Sequence, residues 1–238
     1  MLFLKQRRLE PEWMDDPHLD SRLHGAALQG LARINGISRA GPALWRTLRP
    51  YARALGGERP YRILDVASGG GDVALALWEA ARREGVSLEV LGCDRSDQAV
   101  AFAAARAEAQ NAPVRFFQHD ALDGAMAPAA YDAVTCSLFL HHLSRGHAIH
   151  ALQRMAGASR ELVLAHDLRR SLVGLWAAAA APRVLTRSPV VHKDAPISVR
   201  AAFTPSELRD VAEEAGLAGA TVRNTWPFRQ LLIWKRAA

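Results

Sequence analysis

Lysine and cysteine are nearly missing from this chain, and none of its apolar runs is long. Of the 30 basic residues only Lys5, Lys193 and Lys235 are lysines; the others are arginines, set singly or in pairs such as Arg7-Arg8, Arg82-Arg83 and Arg169-Arg170. The net charge is +6 and the isoelectric point about 10.0. No basic stripe is interleaved with aromatics, so nucleic acid is not an expected partner. Heavy arginine and alanine use reads instead as the codon bias of a GC-rich bacterial genome. The two cysteines, Cys93 and Cys136, each fall in a predicted strand. If those strands flank a common neighbour they lie two spacings of about 4.8 Å apart, beyond the roughly 7 Å a disulfide tolerates. Buried thiols in a reducing cytoplasm are therefore expected. Residues 1–8 hold no apolar core of secretory type. The longest apolar run, residues 172–181, has ten residues, against about 20 for a membrane span, and is expected to be a buried or pocket-lining helix. Thiolate pairs and His-x-x-Glu-His spacings are absent, so no metal site is expected.

What is present is ordinary for a soluble α/β chain: 238 residues, half of them apolar and 23% charged. Residues 1–16 read as a polar arm. A helical face (Leu19, Leu23, Ala26, Ala27, Gly30, Leu31, Ile34) and a second helix over 42–55 follow. Strand and helix then alternate over 61–67, 72–84, 88–93, 97–110, 114–118, 131–136, 144–157 and 160–165, which demands a parallel sheet with right-handed crossovers. An insertion over 168–203 combines an alanine-rich helix with a loop rich in Pro, His and Asp. Thr204-Pro205-Ser206-Glu207 is a capping box that restarts the pattern, and two closing strands are expected over 220–225 and 228–235. The division implied is an arm and helical lid over 1–58 and a core over 59–238.

The richest stretch is Ile63-Leu64-Asp65-Val66-Ala67-Ser68-Gly69-Gly70-Gly71-Asp72. It reads as a buried strand, a glycine turn that lets backbone approach a nucleotide-like ligand, and a helix start. Gly69-x-Gly71-x-x-Ala74, with Asp94 twenty residues on, also fits the dinucleotide fingerprint. Asp65 separates the two readings, because a carboxylate at that strand end suits a cationic amine. The next strand ends in Asp94, a bidentate acceptor for ribose hydroxyls, and the third in His119-Asp120, within reach of an adenine amine. Three acids and no facing lysine fit a cationic nucleoside better than a pyrophosphate, and S-adenosylmethionine is such a ligand.

On these motifs the chain resembles, over residues 60–235, the class I S-adenosylmethionine-dependent methyltransferases. The nearest types are those of ubiquinone and menaquinone biosynthesis and the bacterial phenolic-lipid and polyketide O-methyltransferases. Ala67 stands where the usual motif has its first glycine, as in many quinone-type relatives, which share the Gly-x-Gly-Asp ending seen at Gly69-Gly70-Gly71-Asp72. The resemblance implies a Rossmann-like, doubly wound, seven-stranded sheet with its last strand antiparallel. It implies a cofactor site of Asp65, Ala67, Ser68, Gly69, Gly71, Asp94, Arg95, Asp120, Ala121, Ser137 and Leu138, with Asp94 on the ribose, Asp120 on the adenine amine and Ser137-Leu138 at the methionine end.

A phenol, with pKa about 10, reacts faster once deprotonated, so a general base is expected beside the methyl group. His142 (or its neighbour His141) after the fourth strand, His166-Asp167 after the fifth, and His192 in the insertion are the candidates. Arg169, Arg200 and Arg229 suit the surface, or an acidic acceptor. The expected activity is methylation of a small, apolar, phenolic or quinol-like acceptor, as in O-methylation of a polyketide or phenolic lipid in secondary metabolism. Carbon methylation of a quinol ring and a non-catalytic cofactor-binding scaffold are the alternatives. The expected partner is a small molecule, with no transmembrane segment and a homodimer left open.

Overall fold

The computed structural model describes residues 4, 6–16, 18–124 and 126–237; residues 1–3 and 5 of the leader reading lie outside that range. Seven strands form one sheet in the order β3-β2-β1-β4-β5-β7-β6. They are β1 (Tyr61–Val66), β2 (Leu88–Asp94), β3 (Arg115–Gln118), β4 (Tyr131–Ser137), β5 (Ser159–Leu168), β6 (Thr221–Thr225) and β7 (Arg229–Lys235). All pairings from β3 to β5 are parallel, and β7 runs antiparallel to both β5 and β6. The fold is the Rossmann-like α/β sheet with a reversed last strand. Strand order turns back on either side of β1, which opens a crevice beyond the carboxyl ends of β1 and β4.

Among the described residues eight α-helices flank it: α1 (Ser21–Ile37), α2 (Ala40–Ala54), α3 (Asp72–Arg83), α4 (Asp97–Ala109), α5 (Arg145–Ala158), α6 (Leu172–Leu185), α7 (Pro189–Ala201) and α8 (Pro205–Glu214). The β1 sequence Ile63-Leu64-Asp65-Val66 is buried on both faces, as a central parallel strand requires. Leu64 and Val66 join Leu152, Met155, Leu208 and Val211 of α5 and α8 on one face; Ile63 joins Leu44, Leu48 and Leu77 of α2 and α3 on the other. Each such side chain, fully withdrawn from water, contributes about 1.5–3 kcal/mol. Cys93 and Cys136 both lie beside Val66, one on each neighbouring strand, and both are free.

Two expectations in the insertion are corrected. The segment expected as a loop is helix α7: Ser188 caps it through the Val191 amide and Pro189 stands in its first turn, where a missing N–H costs nothing. The alanine-rich helix α6 is not buried, since only Gly174 and Pro182 of it are withdrawn from solvent. Ten apolar residues in sequence carry no helical amphipathy, and the direction of the buried face could not be read from them. In α1, Leu23 likewise is exposed rather than on the packed face.

Candidate active site

The carboxyl ends of β1 to β4, capped by α1 and the N-terminal arm, enclose a cleft of about 690 Å³. Its floor is the turn after β1. Ser68 N donates to Cys93 O and Gly71 N to Ser68 O (both 2.9 Å), while Gly69 N donates to Asp94 Oδ2 at 2.8 Å. Gly69 has φ +50° and Gly71 φ +72°, the left-handed region. Ala67, at φ +52°, holds the same backbone hand without glycine's freedom.

Of the sequence-derived cofactor residues, Asp65, Ala67, Ser68, Gly69, Asp94, Arg95, Asp120, Ala121, Ser137 and Leu138 all line this cleft. Gly71 does not. It sits behind the turn as the N-cap of α3, where a Cβ would come 2.6 Å from Phe116 Cζ and 2.9 Å from Ala103 Cβ. Its role is close packing and backbone hand.

The acids differ in how far they are already satisfied. Asp65 is buried and accepts a 2.7 Å hydrogen bond from the Thr135 hydroxyl. Burial pushes its carboxyl up to about 7, the Thr135 bond opposing and Asp72 and Asp94 adding to the rise. A cationic group placed beside it would return the proton to solvent and satisfy the anion. Asp94 takes Gly69 N on one oxygen and Ser96 N (3.0 Å) on the other. Each oxygen keeps a lone pair for a further donor. Asp120 accepts from Leu122 N at 2.8 Å and keeps its other oxygen. The buried Ser68 Oγ, Ser137 Oγ and His119 Nε2 on the cleft wall have no hydrogen-bond partner. Unspent donors and acceptors around a buried carboxylate fit a polar cation with ribose hydroxyls.

The sequence suggested an N-terminal lid but named none of the residues on the opposite wall. His24, Leu28, Leu31 and Asn35 of α1, and Met14, Asp15 and Asp16 of the arm, close the cleft. Asn35 bonds the Asp72 carboxylate and accepts from Arg229 Nη2 at 2.8 Å. Arg229 is thus buried, not on the surface. The arm is docked on α7: Asp194 accepts from the amides of Trp13 and Met14 (3.0 Å each), and Glu12 accepts from the Ser198 hydroxyl at 2.8 Å. Only the periodicity of α1 was visible in sequence; an irregular arm has no period to read.

The candidate bases part company. His142 lines the cleft, and its Nδ1 lies 3.0 Å from Asp15 Oδ2. Burial works against its charged form, but the Asp15 bond and the charges of Glu12, Asp15 and Asp167 raise its pKa to about 9. His141, its neighbour, is buried with Nδ1 2.6 Å from Asp167 Oδ1, while its backbone N donates to Asp167 Oδ2 at 3.0 Å. Its ring borders a smaller hollow that shares Asp15 and His142 with the main cleft. His166 is elsewhere: alternation along β5 sends it and Asp167 to opposite faces. Its Nε2 lies 3.0 Å from Thr225 Oγ1, and burial, aided by Arg229, pushes it down to about 3. His192 is also outside the cleft, with Nε2 2.8 Å from Thr186 O and 3.2 Å from Pro182 O. Among the described residues Glu12, His141 and His142 bring donor atoms within 4.8 Å of one another; Glu12 accepts from Ser198 and His142 Nδ1 lies against Asp15, while Asp167 engages only Nδ1 of His141 and leaves its Nε2 3.9 Å from Glu12 Oε1.

Residues 63–161 match the family model described as a methyltransferase domain. That stretch, from β1 to the start of β5, is a methyltransferase domain by this match. Over 108 residues it is 38% identical to the demethylmenaquinone methyltransferase of Thermus thermophilus, a match covering 45% of this chain and 47% of that protein. The chain therefore aligns with about half the length of that relative. Two solved structures share its fold. The plantazolicin methyltransferase BpumL in complex with S-adenosylhomocysteine has TM-score 0.66 and 15% identity, over 94% of this chain and 93% of that one. Magnesium protoporphyrin IX methyltransferase from Synechocystis PCC 6803 has TM-score 0.58 and 17% identity, over 85% and 84%.

Proposed function

We propose that this methyltransferase binds S-adenosylmethionine in the acid-lined cleft and methylates a hydroxyl of a small, apolar, phenolic or quinol-like acceptor. The observation that carries the cofactor reading is Asp65, buried without a cationic partner at the glycine turn and backed by Asp94 and Asp120 on the next two strands. In that reading Asp65 meets the α-amino group, Asp94 the ribose hydroxyls and Asp120 the adenine amine. The cofactor would supply an electrophilic methyl on sulfur for in-line displacement.

His141 is the proposed base. Asp167 fixes its Nδ1, which leaves Nε2 to take the acceptor's proton across the hollow shared with His142. His142, charged beside Asp15, would hold a developing oxyanion rather than remove a proton. His166 and His192 take no part in this scheme. Within residues 1–58 the arm and α1 act in it as the lid that excludes water from the cleft, while α2 packs into the core.

Carbon methylation of a quinol ring is favoured by one observation, the demethylmenaquinone named in the curated relative. The same base would serve it by ionising the quinol hydroxyl. Incubating the protein with S-adenosylmethionine and a panel of phenols, quinols and tRNA, and assaying S-adenosylhomocysteine, tests the proposal. Turnover on phenols or quinols supports it, and NMR of the product separates oxygen from carbon methylation. Turnover on tRNA alone, or on nothing while cofactor still binds, would replace it with a nucleic-acid enzyme or a scaffold.

A further inference from the structure

Helix α6 turns an apolar face to solvent. Four of the ten large apolar side chains that are exposed among the described residues sit on it: Leu172 at 45%, Val173 at 62%, Trp176 at 74% and Val184 at 86% exposure. Val173, Trp176, Ala180 and Val184 recur at steps of three and four, which places them on one side of the helix. The other side packs on α1 and α7. His192 fixes its C-terminal end through the carbonyls of Pro182 and Thr186. At its N-terminal end the β6–β7 turn packs on Gly174 through Phe228 and brings another exposed ring, Trp226. The patch is therefore rigidly held.

The charge along this stretch of the chain has one sign. Between Asp167 and Asp194 the sequence has no acid, yet it carries Arg169, Arg170, Arg183, Arg187 and Lys193. Arg170 is spent on Glu207 and Lys193 lies over Trp13, but Arg183 and Arg187 are exposed, Arg183 on the border of the apolar stripe. A second copy of the chain meeting this face about a two-fold axis would bring arginines against arginines. The headgroups of an anionic bilayer offer the opposite charge, and the layer below them takes Trp and Val side chains.

We propose that α6, with the Trp226 turn, docks this protein in the plane of a bilayer surface bearing anionic lipid. Docking is independent of which acceptor is methylated, and its test involves no turnover. The protein is sedimented with vesicles of equimolar phosphatidylglycerol and phosphatidylcholine, and with phosphatidylcholine alone. It should pellet with the anionic vesicles and stay in solution with the neutral ones or at high salt. A variant carrying Val173→Asp, Trp176→Asp and Val184→Asp should partition about tenfold less or worse. Arg183→Glu with Arg187→Glu, which leaves the apolar stripe intact, should also weaken partitioning. Circular dichroism and S-adenosylmethionine binding confirm that both variants remain folded. No pelleting with anionic vesicles overturns the proposal, as does equal pelleting of the variants. A dimer in light scattering that the triple variant dissolves, with vesicles left unbound, also overturns it and assigns the face to self-association.

Discussion

His141 Nδ1 lies 2.6 Å from Asp167 Oδ1, and both side chains are buried. Burial opposes the ionised form of Asp167. His141 and the Leu168 amide more than offset that and hold its carboxyl below the ordinary range. The aspartate stays charged and holds the imidazole through Nδ1. Two residues 26 apart in sequence are brought into contact because the turn after β4 crosses the end of β5.

Replacing His141 by Ala should lower kcat by about a hundredfold or more, with little change in cofactor affinity. Asp167→Asn should lower kcat less and shift the acidic limb of the kcat–pH profile, because it acts through His141. Steady-state kinetics across pH checks both. An equal rise in KM with unchanged kcat would make the pair structural.

Asp65 gives a proton-linkage prediction. Its carboxyl titrates at about 7 in the folded protein, against 3.8 when unperturbed. The folded state therefore holds a proton the unfolded state has lost between about pH 4 and 7, and this group's contribution makes stability fall as pH rises through that window. Asp65→Asn should raise the unfolding temperature at pH 8 and leave it unchanged near pH 3. In the parent, binding of S-adenosylmethionine at pH 6 should release a proton, seen as a calorimetric heat that varies with buffer ionisation enthalpy. The release should vanish by about pH 9.

His142 has the same sign in a higher pH window. Its folded pKa of about 9 lies above the usual 6.5. Its stabilising contact with Asp15 is fully present below about pH 6.5 and is lost as pH rises through 9. Limited proteolysis should cut the arm near Asp15 faster at pH 10 than at pH 6, and Asp15→Asn should remove that difference.

Gly71→Ala should destabilise the fold by about 2–3 kcal/mol, from the left-handed φ and the clash with Phe116 and Ala103. Chemical denaturation measures it. A loss under 0.5 kcal/mol would mean that the Phe116 ring can move aside.

What was legible in the sequence follows the same physics. Short apolar strands with Asp65, Asp94 and Asp120 at or just past their carboxyl ends are local patterns, and the sheet sets those ends side by side, so the cleft could be read. Asn35, Asp15 and Glu12 reach the site through long-range packing of an arm and a helix that carry no motif. Gly71 was read as a ligand contact because spacing alone does not say on which side of a turn a missing Cβ matters. Of the histidines offered as bases, His142 and its neighbour His141 lie at the cleft and the hollow beside it, while strand alternation places His166, and helix packing His192, outside both.

Calorimetric titration of S-adenosylmethionine into the parent and Asp94→Ala proteins, with NAD as the control ligand, addresses the cleft most directly. Loss of a charged acceptor for ribose hydroxyls should weaken binding by about tenfold or more, with no heat from NAD to either protein. Equal affinity in the two proteins, or NAD bound where S-adenosylmethionine is not, would contradict the account.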